Sequence, residues 1–189
     1  MTPLESLARA LQLLLTWDSS GLEQFCTEFP ALAESILAMK GVTQDSRHHT
    51  LDVYGHTLSV VSKLSLLSTP PSPVLQLAAL CHDFGKPKTR TVDENGHIHF
   101  YGHEDVSADL ACTFLENLEC GWRMMQDVMW LCANHMRINN YHSTWGPRAV
   151  RRLVKDAGGL LQTALDLSLA DLQSHRLESP SVQQALANR

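Results

Sequence analysis

The stretch CHDFGKPKTR, residues 81–90, sets His82 and Asp83 side by side ahead of Gly85, Lys86 and Pro87. An imidazole and a carboxylate leaving adjacent positions at a helix end can share one divalent metal ion, and the carboxylate can bridge to a second. Gly85 and Pro87 are expected to stop the helix, and Lys86 then delivers a cation beside the ligands. Metal ligands with a neighbouring cation suit chemistry on a phosphate.

Ten histidines are the one compositional oddity of the chain. On a helix, positions i, i+3, i+4 and i+7 share a face. His56 shares its face with Val53, Val60 and Leu64, and His82 with Leu75, Ala78 and Ala79. His135 follows Val128, Leu131 and Cys132, and Asp171 follows Ala164, Leu167 and Ser168. One inward histidine is ordinarily a hydrogen-bonded core residue. Three of them beside two aspartates are another matter, because a buried carboxylate needs a compensating partner and internal cations are few. The pattern favours metal.

The elements that must position these groups read almost entirely as helix. Candidates are 3–15, Pro30 to Met39, 50–67, Val74 to about Phe84 after the rigid TPPSP break, 104–118, 122–136, Pro147 to Asp156 and 160–175. The segment TRTVDENGHIHFYG, with Asn95-Gly96 between short β-prone runs, predicts a hairpin near residues 89–101. Trp122, Met125, Met129 and Trp130 fall at core spacing. The expected fold class is all-α, a helical bundle with one short β-hairpin. Its organisation is an N-terminal helical extension over 1–29, the main domain over 30–177 and a tail over 178–189.

Composition excludes several classes. At 189 residues with 44% apolar and 19% charged side chains, the chain is globular rather than disordered or fibrous. A net charge of −5 repels nucleic acid overall, so a phosphate site must be locally positive. Five cysteines without a CxxC argue against a disulfide framework or a structural zinc site and point to a reducing cytoplasm. No run reaches the roughly 18 apolar residues of a membrane span, and MTPLESLARALQLLL reads as a helix rather than a signal. Neither membrane nor DNA is an expected partner.

The series His56, His82-Asp83, Asp171 resembles the H…HD…D signature of the HD superfamily of metal-dependent phosphohydrolases. GVTQDSRHHTLDVYGHTL (41–58), HDFGKPKTR (82–90) and HIHFYGHE (97–104) look most like the HD domain attached to bacterial CCA-adding tRNA nucleotidyltransferases, over roughly residues 30–175. The nucleotidyltransferase head of those enzymes, with its Gly-Ser motif and aspartates, has no counterpart in these residues, which excludes CCA addition for this chain alone. By the resemblance, His56, His82, Asp83 and Asp171 bind a first ion, and Asp83 bridges to a second held by His103 and His135. One or two ions of Mn, Fe, Co, Ni or Zn suit these donors, Mg being admissible.

The resemblance also implies a phosphohydrolase in which Asp83 and Lys86 act on the reaction. From position alone, Lys86 would point its charge at the phosphate, and Lys88 and Arg90, at alternate positions after it, could line the same rim. His49, seven residues before His56, and His175, four after Asp171, could flank the substrate, as a general acid or as a partner of the ligands. Its substrate would be a small nucleotide-like phosphomonoester or phosphodiester, a 2′,3′-cyclic nucleotide among them, with an RNA end also open. Tyr101 is a candidate for touching a base. Two other readings stand beside this one: a two-iron HD-domain oxygenase, separable by iron content and its EPR signal, and a non-catalytic module binding a nucleotide or a partner.

Overall fold

The computed structural model describes residues 3–15, 19–45, 50–67, 69–141 and 144–175. The chain opens with α1 (Pro3–Leu14), α2 (Ser19–Glu28) and the short α3 (Glu34–Ala38). The second of these was not expected, although Leu22, Phe25, Cys26 and Phe29 carry helical spacing. Phe25 is fully buried and meets the ring of Phe114 edge-on at 6.2 Å, so α2 shares the core of the bundle.

Two caps fix where the next helices begin, and with them the phase of their ligands. Asp52 caps α4 (Val53–Lys63), accepting from Gly55 N at 2.7 Å through Oδ1 and from Gly41 N at 2.7 Å through Oδ2. Ser72 caps α5 (Pro73–Cys81), accepting from Leu75 N at 3.2 Å with Pro73 in the first turn. The proline-rich break therefore ends in a helix-start signal. After Cys81 the chain turns through residues 82–85 and enters α6 (Lys86–Thr89), so Pro87 begins a second helix rather than only ending the first.

The hairpin pairs β1 (Thr91–Val92) antiparallel with β2 (Ile98–His99), in the register Thr91↔His99 and Val92↔Ile98. Its loop is organised by Asp93, whose Oδ1 accepts from Asn95 N and His97 N, both at 2.9 Å. Then follow α7 (His103–Asn117), α8 (Trp122–Asn139), α9 (Pro147–Ala157) and α10 (Leu161–Leu172). Helix α5 packs on α4, α8 and α10, while α7 lies along α8. Phe84 meets Phe114 edge-on at 5.6 Å, pinning the turn after α5 to α7. Trp122 is 70% exposed, contrary to its core spacing, because it stands in the first turn of α8. Among the described residues no helix is long and apolar enough to cross a membrane.

Candidate metal centre

Five helices or helix ends deliver six ligand-type side chains to one buried spot. His56 comes from α4, His82 and Asp83 from the end of α5, His103 from the start of α7, His135 from α8 and Asp171 from α10. All six are buried. They sort into two sets, His56, His82, Asp171 and Asp83, His103, His135, in each of which the donor atoms lie within 4.8 Å of one another.

Asp83 stands between the sets. Its Oδ2 lies 3.3 Å from His82 Nε2 and 3.7 Å from His56 Nε2, while its Oδ1 lies 3.4 Å from His103 Nε2 and 4.0 Å from His135 Nε2. Asp171 Oδ1 lies 2.9 Å from His56 Nε2 and 4.0 Å from His82 Nε2.

The backbone fixes which ring nitrogen each histidine presents. The Nδ1 atoms of His82, His103 and His135 lie 2.9, 2.7 and 2.7 Å from the carbonyls of Ala79, Phe100 and Cys132, in every case the residue three positions earlier. A carbonyl can only accept, so Nδ1 carries the proton and Nε2 offers a lone pair. That is how a metal-ligating histidine is ordinarily oriented. The Nε2 atoms of His103 and His135 then face each other at 3.2 Å, lone pair to lone pair beside Asp83 Oδ1, an arrangement that calls for a cation between them. Asp83 Oδ1 and His82 Nε2 are buried without a hydrogen-bonding partner. Polar atoms are seldom buried in that condition, and a divalent ion would satisfy them. The donor set fits such ions.

Electrostatics separates the two sets. Burial pushes His135 down to about 3, helped by His82 and His103, and burial likewise lowers His103 and His56. For His82 burial is outweighed by Asp83 and Asp171, which raise it. Burial opposes the charged carboxylates too. Even so, His82, Lys86 and His103 hold Asp83 well below the usual range, and His175 and His56 do the same for Asp171.

Gly85 explains how His103 reaches Asp83. A Cβ at this position would stand 2.3 Å from the carbonyl oxygen of His103 and 2.8 Å from Ser107 N, so only glycine lets α7 come this close. Its own N–H donates to Ser107 Oγ at 2.8 Å. Gly85 is thus there for contact rather than for a special backbone angle. Gly102 supplies the latter, with φ of +73° just before His103.

Lys86 is only 7% exposed. Its Nζ lies 2.8 Å from Asp83 Oδ2, donates to Gln44 Oε1 at 2.8 Å and rests 5.4 Å above the Phe100 ring. It also lines a cavity of about 270 Å³ with Asp83, His103, His135, Asp171 and His175. His175 Nε2 lies 3.1 Å from Asp171 Oδ1.

Lys88 and Arg90 do not reach this cavity. Alternate residues share a rim only on an extended chain, whereas on a helix they diverge by about 200°. Lys88 lines a separate groove behind Phe84, and Arg90 is hydrogen-bonded to Thr43 at 2.9 Å. His49 and the tail from 178 lie outside the described residues.

Residue types alone left several participants unmarked. Asn139 donates to Asp171 Oδ2 at 2.5 Å and accepts a short hydrogen bond from Ser168. Asp45 lines the cavity, 3.7 Å from His97 Nδ1. Asn139 stands one helical turn after His135, a spacing by which it could be found.

The HD domain family model matches residues 48–173. Over 169 residues the chain is 31% identical to an A-adding tRNA nucleotidyltransferase of Deinococcus radiodurans, covering 89% of this chain and 36% of that protein. Over 98 residues it is 41% identical to a CC-adding tRNA nucleotidyltransferase of Thermus thermophilus, covering 51% of this chain and 22% of that protein. The chain thus corresponds to about a third or less of the length of these relatives.

Proposed function

Since the chain belongs to the HD-domain family, we propose that it is a metal-dependent phosphohydrolase cleaving a nucleotide-like phosphomonoester or phosphodiester. The observation that carries this reading is three imidazoles, each with Nδ1 tied to a backbone carbonyl, turned with two carboxylates toward one buried spot beside a buried lysine. His56, His82, Asp83 and Asp171 would hold a first ion, and Asp83, His103 and His135 a second. Imidazole and carboxylate donors without thiolate suit Mn, Fe, Co, Ni or Zn. Bound there, such ions supply Lewis-acid activation of water and of the phosphoryl group.

The remaining work falls to this chain's own residues. Asp83 orients both halves of the site through its two oxygens. Lys86, screened from water and stacked over Phe100, offers its ammonium to a phosphoryl oxygen as charge builds there. His175, on the cavity wall, is the group able to hand a proton to the leaving oxygen. The names of the two relatives bring tRNA ends into the range of substrates, alongside free nucleotides. With a net charge of −5, long RNA is the poorer fit, since each phosphate contact needs a cation. Five free cysteines favour a reducing compartment, the cytoplasm.

Metal analysis of the purified protein, followed by assays on 2′,3′-cyclic AMP, a simple monoester and a simple diester, tests the reading. Bound transition metal with hydrolysis of at least one ester is expected. Protein that takes up no divalent ion, or hydrolyses none of the three when loaded, would sink it.

A further inference from the structure

Two aromatic side chains on the cavity wall are left over by the chemistry above. His99 and Tyr101 stack with ring centroids 5.1 Å apart and planes 10° from parallel, and both line the cavity that holds Asp83 and Lys86. Tyr101 is 77% exposed. A single exposed aromatic needs no explanation, but this one is fixed in orientation. His99 Nε2 lies 3.1 Å from Asp93 Oδ2, and the Tyr101 hydroxyl lies 3.3 Å from His99 Nδ1. A carboxylate can only accept, so Nε2 carries the proton and donates to it, leaving Nδ1 to accept from the hydroxyl. The same Asp93 ties the hairpin loop through its Oδ1. Phe100, between His99 and Tyr101 in the chain, lines the same cavity and lies under Lys86. The segment after the hairpin therefore brings a stacked aromatic pair and the ring beneath the cation to one cavity.

We propose that the Tyr101–His99 pair is a nucleobase platform, which makes the substrate a nucleoside phosphate with its phosphate toward Lys86 and its base on Tyr101. The proposal rests on the phosphohydrolase reading for the reaction and on the hairpin alone for the base. Along the chain, Tyr101 and the ligand-type His103 are two residues apart, at most about 7 Å. A nucleoside phosphate separates its base and phosphorus on the same scale. Stacking on an aromatic ring is tolerant of base identity, so all nucleobases should be accepted.

The test compares AMP with ribose 5-phosphate, which lacks the base, in the metal-loaded full chain. In Tyr101→Ala the ratio of kcat/KM for AMP to that for ribose 5-phosphate should fall about 10-fold, and Tyr101→Phe, which keeps the ring, should recover most of it. A second arm follows adenosine, which has no phosphate to cleave, by ring-proton shifts at Tyr101 and His99. Adenosine should perturb both rings in wild type and in Tyr101→Phe. An unchanged ratio, a phenylalanine variant as poor as the alanine one, or adenosine without effect on either ring overturns the platform. If no ester is hydrolysed at all, the phosphohydrolase reading fails while the adenosine arm still decides the platform.

Discussion

The two halves of the candidate metal centre are built from the same residue types but supported differently. In the half formed by His56, His82 and Asp171, the carboxylate belongs to that half alone. Asp171 is flanked by His56 at 2.9 Å and His175 at 3.1 Å, and its other oxygen is held by Asn139. In the half formed by His103 and His135, the carboxylate is borrowed, because Asp83 also faces His56 and His82. Two neutral imidazoles with their Nε2 atoms 3.2 Å apart then face one oxygen of a carboxylate shared with the neighbouring half. A metal site gains affinity from its own charge and from groups that fix its ligands. The first half should accordingly bind the tighter ion, and the second should depend on everything that brings α7 toward Asp83.

Removing the shared group breaks both halves at once and gives the largest effect. Asp83→Ala is expected to carry no stoichiometric metal and to show no hydrolysis above background, read by elemental analysis and ester assays. A variant that retains one ion would mean that the halves are independent.

Gly85→Ala should split them. Its new Cβ cannot stand 2.3 Å from the His103 carbonyl, so α7 must retreat at a cost of about 1–3 kcal/mol. The expected outcome is a lowered melting temperature, one ion in place of two, and His56–His82–Asp171 binding preserved. Loss of both ions together in a folded variant would contradict the asymmetry.

Asn139→Ala acts on the other side. It frees one Asp171 oxygen and should weaken the first ion about 10–100-fold, while the second half, held by Asp83, His103 and His135, changes less. Competition with a chelator, followed for each ion in turn, reads the difference.

These contrasts were only partly legible in the sequence. His56, His82, His135 and Asp171 could be assigned an inward face because each sits within, or directly after, a helix long enough to show a period. His103 could not, for it is the first residue of α7, where there is no preceding turn to set a phase; the family resemblance supplied it. Lys88 and Arg90 follow Lys86 at alternate positions, which share a side only on an extended chain, and a four-residue helix such as α6 is too short to show a period. Asn139 shares the face of His135 one turn on, so its inward position could be read from spacing. Its hydrogen bond to Asp171, and the place of Ser168 beside it, come from how α8 packs on α10, which local patterns do not encode. Gly85 looked like a helix stop, and its contact with α7 is a tertiary fact.

Protonation offers the finest separation of the halves. An Nε2 lone pair must be free of its proton to ligate a metal. Burial keeps His103 and His135 below the ordinary histidine value, His135 at about 3, so at neutral pH their Nε2 atoms carry no proton to release. In the first half His56 is also lowered, but His82 is raised by Asp83 and Asp171 against the effect of burial. The sign follows: as pH falls, protons compete for His82 first, so affinity in the first half drops before that of the second, whose two histidines are both lowered. Calorimetric titration with metal at pH 6.5, in buffers of different ionisation enthalpy, should therefore show up to about one proton released per chain. His135→Ala, which dismantles the second half, should release the same number as wild type. Release that disappears in His135→Ala would place the titrating proton in the wrong half, and with it the claim that the two differ in charge rather than only in support.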